Sequence, residues 1–144
     1  MTYQSIVSIT DPDIPYLISI LKMPEIARFI SIDQHNYWNY VTSTENVFYF
    51  KVYDGGKLVA ATHCEVLNKT LYMDIMVIPP YQRKGVATHI VKDIQCGKLP
   101  LDFEKIEVSI DETNEASIAL FQKMGFVYVS KEDELRNYIY VKEP

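Results

Sequence analysis

The chain has 144 residues, 48% hydrophobic and 23% charged, the make-up of a globular domain rather than of a disordered or collagen-like polymer. Its net charge of −5, with Lys and Arg scattered along the sequence, lacks the basic stripe of a nucleic-acid binder, so DNA and RNA are not expected partners. Cys64 and Cys96 make no C-x-x-C motif and no disulfide framework, and no apolar run approaches bilayer length. A cytoplasmic protein without membrane attachment and with two buried thiols is therefore expected.

No repeat, low-complexity tract or Gly/Ser linker divides the sequence, so residues 1–144 are expected to form a single domain. Residues 3–9 have the composition of a strand, Asp11-Pro12 opens a helical stretch to about Lys22, and Pro24 starts a second one. Between them and the next strand, Phe29, Tyr37, Trp38 and Tyr40 crowd together at helical spacing, more as core than as pocket. The run from Val47 to Tyr53 is β-branched and aromatic, and Asp54-Gly55-Gly56 turns it into a strand from Leu58 to Leu67. Asn68-Lys69 is a two-residue hairpin turn into a strand from Leu71 to Ile78, which Pro79-Pro80 stops.

Val86, Ala87, Ile90, Val91 and Ile94 fall on one helical face, and Gly97 and Pro100 end that helix. Residues 105–110 alternate as a strand. Asn114 caps a helix that runs to residue 124, where Gly125-Phe126 supplies its C-terminal turn and hydrophobic contact. Two further strands, residues 126–131 and 136–142, close the order β-α-α-β-β-β-α-β-α-β-β.

Between a strand and a helix stands Gln82-Arg83-Lys84-Gly85-Val86-Ala87. The first amides of a helix have no internal partner and sit at the positive end of its dipole, so main chain alone binds a phosphate there, and Gly85 permits close approach. A P-loop needs Gly-Lys-Ser/Thr, whereas Lys84 precedes Gly85, and three spaced glycines of a dinucleotide fold are missing. Taken alone, the hexapeptide also reads as an ordinary strand-to-helix turn with solvated cations.

The strand, Pro-Pro-Tyr81 and Gln82-x-x-Gly85-x-Ala87 resemble the pyrophosphate motif (Q/R)-x-x-G-x-(G/A) of the GNAT acetyltransferase superfamily. Asn114-x-x-Ser117-x-x-Leu120-Phe121-x-x-x-Gly125-Phe126 resembles that family's second signature. The resemblance implies an α/β fold with a mixed, mostly antiparallel twisted sheet of about seven strands flanked by about four helices. It implies acetyl-CoA as cosubstrate and an amine as acceptor, attacked directly in a ternary complex. It places Gln82, Arg83, Lys84, Gly85, Val86, Ala87 and Thr88 at the pyrophosphate. Met76, Val77 and Ile78 are implied as main-chain contacts to pantetheine at a splay between the fourth and fifth strands, with a strand N–H on the thioester carbonyl. Asn114, Ser117 and Phe121 complete the cofactor set, Asn114 steadying pantetheine or a reaction water. Phe121 stands where many members carry the tyrosine thought to protonate the departing thiolate, which keeps open a non-catalytic acetyl-CoA-binding module. Self-association as a homodimer also stays open.

An alkylamine of pKa near 10.4 must lose a proton before it attacks. If Asn68-Lys69 is the turn, Leu67 pairs with Thr70, and counting back sets His63 opposite Asp74 on one face. That suggests either a His63 base oriented by Asp74 or a structural His–Asp pair. His35 and His89 have no such partner in this reading. His63 and Cys64 point to opposite faces, and no metal site is expected.

Overall fold

A computed structural model describes residues 1–30 and 36–143, so His35 lies outside the described residues. The chain runs β1 (Thr2–Ser5), α1 (Ile14–Leu21), α2 (Pro24–Ala27), α3 (Tyr37–Ser43), β2 (Val47–Asp54), β3 (Lys57–Leu67) and β4 (Thr70–Val77). It continues through a single 3-10 turn, Pro79–Tyr81, to α4 (Val86–Gln95), β5 (Lys105–Asp111), α5 (Glu115–Lys123), β6 (Val127–Glu132) and β7 (Leu135–Val141). The seven strands form one sheet in the order β1-β2-β3-β4-β5-β7-β6, antiparallel everywhere except between β4 and β5.

The β3–β4 hairpin follows the sequence closely. Asn68 and Lys69 both take positive φ, 51° and 65°, as a two-residue turn matched to strand twist requires. Leu67 pairs with Thr70 and, four residues back, His63 pairs with Asp74. Strand alternation then sorts the core. Leu71, Met73, Val86, Ile90, Ile94, Ile106, Val108 and Phe121 pack on one side; Ile14, Leu17, Trp38, Val41, Tyr49, Ala61 and Met76 pack on the other, under α1–α3.

The N-terminal segment departs from the expected strand of residues 3–9 and helix from Asp11. Strand pairing stops at Ser5, with one more bond from the Ile6 amide to the Tyr49 carbonyl. Beyond it, the Ser8 hydroxyl accepts from the Thr10 amide and the Asp11 carboxylate from the Asp13 amide. These local bonds divert the backbone from both strand and helix, and α1 begins only at Ile14. Asp11 and Asp13 also hold the nearly buried Lys51 of β2 at 3.0 and 2.8 Å. Burial works against that ammonium, but the hydrogen bonds it donates to Asp13 and then Asp11 outweigh it and raise its pKa. Three helices, not two, precede β2, giving five among the described residues where about four were expected. Cys64 is buried as expected, whereas Cys96, beyond the apolar face of α4, is exposed.

Candidate active site

The pairing of β4 with β5 lasts only from Thr70–Lys105 to Tyr72–Glu107. Past that point the parallel strands diverge, and a cleft of about 490 Å³ opens between Met73–Val77 and Val108–Ile110. One end is closed by the start of α4, one wall by Asn114, Ser117, Leu120 and Phe121 of the α5 region, and the other mouth by Glu25, Ile26 and Phe29 of the α2 region.

Alternation along β4 decides which main-chain groups face this gap. The Ile78 amide donates to the Val59 carbonyl, and its own carbonyl accepts from the Tyr81 amide. Ile78 therefore has no free main-chain group for a ligand and does not line the cleft, which corrects its expected place among the contacts. Met76, two residues back, shares that orientation toward β3 and lines the cleft through its side chain. Val77 and Ile75, in the alternate phase, turn their N–H and C=O toward the gap. Ile75 is the residue that sequence reading missed; the register of the Asn68-Lys69 turn contained that signal.

At the closed end, Gly85 is the N-cap of α4 with φ 80°, a left-handed conformation that lets the amides of Val86, Ala87 and Thr88 emerge without a side-chain cap. Arg83, a non-glycine residue, is also left-handed at φ 61°, and the Gln82 side-chain amide donates to the Val77 carbonyl at 3.0 Å. The loop is thus tied to the strand edge. Gln82, Arg83, Gly85, Val86, Ala87 and Thr88 line the cleft, and Lys84 does not. These emerging amides and the cation Arg83 fit a diphosphate.

Asn114 faces the cleft and caps α5, its Oδ1 accepting from the Ser117 amide at 3.3 Å. Phe121 is 5% exposed, packs edge-on against Phe126 with centroids 5.0 Å apart, and still forms part of the cleft wall. Its ring therefore belongs to core and cleft at once. Phe121→Tyr is expected to hold stability within about 1 kcal/mol of wild type and to keep or raise the rate of CoA release, read by urea unfolding beside a thiol assay. Strong destabilisation with CoA binding intact would show that the para position meets core and not ligand.

Asp74 is exposed, opening into the cleft on the α1–α3 side, and the cleft walls limit the water around its carboxylate. Desolvation raises its pKa, against the opposing pull of the His63 ring and main-chain N–H. A carboxylate so disposed is a stronger base than an ordinary aspartate. His63 is its cross-strand neighbour, as the register predicts, but does not line the cleft. No side-chain hydrogen bond joins the two among the described residues. The His63 ring instead meets the Tyr37 hydroxyl through Nδ1 at 2.6 Å and Glu65 Oε1 through Nε2 at 2.9 Å, which corrects the picture of an imidazole oriented by Asp74. His89 does have a partner, Asp93 on the next turn of α4, at 3.3 Å. Among the described residues no group of three metal-ligating side chains converges.

A divided parallel strand pair, with the uncapped amides of a helix start at one end and a carboxylate at the other, defines the cleft of this α/β fold. The sequence profile described as "Acetyltransferase (GNAT) family" matches residues 14–126, and the chain belongs to that family. It is 31% identical over 91 residues to the spermidine N(1)-acetyltransferase of Escherichia coli, a match covering 61% of this chain and 47% of that relative; the chain thus spans about half of the relative's length. The fold is similar to that of the Vibrio cholerae spermidine N-acetyltransferase in complex with CoA and spermine, with TM-score 0.81, 14% identity and coverage of 98% and 95%. It is similar also to Campylobacter jejuni N-acetyltransferase PseH in complex with acetyl coenzyme A, with TM-score 0.79, 12% identity and 99% coverage of both chains. No described helix is long and apolar enough to cross a membrane.

Proposed function

We propose that this chain acts as one domain that transfers the acetyl group of acetyl-CoA to a primary amine by direct attack in a ternary complex. The observation that carries the reading is the break in β4–β5 pairing, which gathers three unlike groups at one opening: helix amides, a free strand edge and Asp74. The amides of Val86–Thr88 and the side chain of Arg83 would hold the diphosphate, and Ile75 and Val77 would bond pantetheine as an added strand does. A strand N–H at the thioester oxygen would stabilise the charge that develops there.

On the opposite side Asp74, with Glu25 at the mouth, favours a cationic acceptor. Asp74 would bind the ammonium, take its proton, and leave a neutral nitrogen to attack the acetyl carbon. The tetrahedral adduct then expels CoA as thiolate, tolerable for a thiol of pKa near 8.5 even without a tyrosine at position 121. The names of the relatives make an alkyl polyamine the first acceptor to try.

A panel of spermidine, spermine, amino acids and an amino-terminal peptide, assayed for CoA thiol release, tests this. Release that requires both acetyl-CoA and one of these amines is the expected result. Calorimetric binding of acetyl-CoA with no release across the panel would replace transfer with a binding module, the reading that Phe121 in place of a tyrosine favours.

A further inference from the structure

We propose that Ser109 is a second binding residue for the acceptor amine, a neutral hydrogen-bond acceptor set across the cleft from Asp74. The inference rests on the acyl-transfer reading above and names the group that orients the nitrogen which Asp74 deprotonates. β4 and β5 run parallel, and their last bonded pair is Tyr72–Glu107. Two residues further along each strand, Asp74 and Ser109 are the first residues on that same face beyond the fork. Both are exposed and both line the cleft, so a nitrogen entering between the strands meets one from each side.

What Ser109 offers the cleft is decided behind it, on β7 and β6. The Ser109 hydroxyl donates to Asn137 Oδ1 at 2.6 Å, and Asn137 Nδ2 donates to Ser130 Oγ at 3.0 Å and to Glu132 Oε1 at 3.4 Å. Chemistry fixes which end of this amide faces Ser109. The Glu132 carboxylate only accepts, so the NH2 group turns toward β6, and 2.6 Å is an ordinary O–H···O length but short for N–H···O. Asn137 is 8% exposed, so its amide depends on these protein partners and not on water. A register shift past Tyr128 builds the arrangement: Tyr128 pairs with Tyr138, Ser130 pairs with Asn137, and the extra residue brings Ser130 and Glu132 onto the face of Asn137.

The one hydroxyl proton of Ser109 is thereby committed to Asn137. Toward the cleft its oxygen has only lone pairs, which suit an N–H and not a carbonyl. A primary ammonium carries three N–H bonds. It passes one proton to Asp74 and keeps another N–H on Ser109, so the nitrogen stays in place while its lone pair turns to the acetyl carbon. Ser109 itself neither gains nor loses a proton, and Asn137 is the positioning residue behind it.

Ser109→Ala should lower kcat/KM for the best amine of the panel above about tenfold to a hundredfold, the loss of one hydrogen bond to a charged group, and leave KM for acetyl-CoA unchanged. Ser109→Thr keeps the hydroxyl on a side chain that strands favour, and should hold most of the wild-type rate. A residue that served only as a rung between β5 and β7 would lower stability as alanine and leave the amine kinetics alone. NMR of the full chain supplies a readout that needs no turnover: the side-chain NH2 protons of Asn137 should lie close to the β-protons of Ser130 and away from those of Ser109. Wild-type kcat/KM for the amine in Ser109→Ala, equal losses in the alanine and threonine variants, or an Asn137 NH2 group turned to Ser109 would overturn the proposal and leave the transfer reading standing. If the wild-type chain releases no thiol with any amine of the panel, the transfer reading fails first and this proposal falls with it.

Discussion

Asp74→Asn is expected to lower kcat/KM for the amine by about 10²- to 10⁴-fold, the span of a positioned acid–base group, while acetyl-CoA binds as in wild type. The selectivity follows from position: Asp74 projects from β4 toward α1–α3, whereas the amides proposed to hold the diphosphate belong to α4 and the strand edge that faces the gap to Ile75 and Val77. Asparagine keeps the volume and loses both the negative charge that attracts an ammonium and the basic oxygen. Steady-state rates with the best amine, beside calorimetry with CoA, separate the two effects. A variant with wild-type kcat/KM would remove Asp74 from the chemistry.

The same substitution should stabilise the fold slightly at neutral pH, the effect being kept small by the solvent that reaches the exposed Asp74 carboxylate. Desolvation raises the folded-state pKa of Asp74 above its unfolded value. The folded protein then binds more protons across that window, so this group's contribution is full below the ordinary carboxylate range and is lost as pH rises through the raised value. Asparagine does not titrate. The stability gain of Asp74→Asn over wild type, measured by urea unfolding, should therefore be small in acid and grow toward neutrality.

Elements governed by neighbours in sequence were legible. Asn68-Lys69 set a two-residue turn, the turn set the register, and the register placed His63 against Asp74 across two strands. The glycine turn into α4 was equally local, since Gly85 and the first turn of that helix are adjacent in the chain. What sequence could not give was the aim of a side chain that has two neighbours to choose from. The His63 ring turns toward Tyr37, 26 residues away, because α3 packs that hydroxyl over the sheet, and counting along β3 says nothing of α3. Of the expected Met76, Val77 and Ile78, Val77 does turn its main chain to the gap, but consecutive residues were taken where a strand edge offers alternate ones, so Ile78 entered and Ile75 was left out. At the N-terminus, side chains of Ser8 and Asp11 captured backbone groups that a strand and a helix would have used, a competition that propensity alone does not resolve.

Gly85→Ala should weaken CoA binding about a hundredfold while lowering stability by only about 1–2 kcal/mol, the cost of a left-handed alanine. At φ 80° a Cβ on residue 85 would meet no protein atom within 4 Å, so nothing in the protein itself rejects the methyl group. The open space it would enter borders the Val86, Ala87 and Thr88 amides and the proposed diphosphate. Displacing the phosphate from two charge-assisted hydrogen bonds, at roughly 1.5–3 kcal/mol each, readily accounts for the 2.8 kcal/mol or so in a hundredfold change. The fold supplies a matched control at the other end of the same helix. Gly97 has φ 78° and open space around its would-be Cβ, but it lies beyond α4 and outside the cleft. Gly97→Ala should therefore lose similar stability and keep wild-type CoA affinity, so that strain is common to both variants and only ligand contact differs. If calorimetry gives equal CoA affinities for the two alanine variants, the loop from Gln82 to Thr88 does not hold the diphosphate.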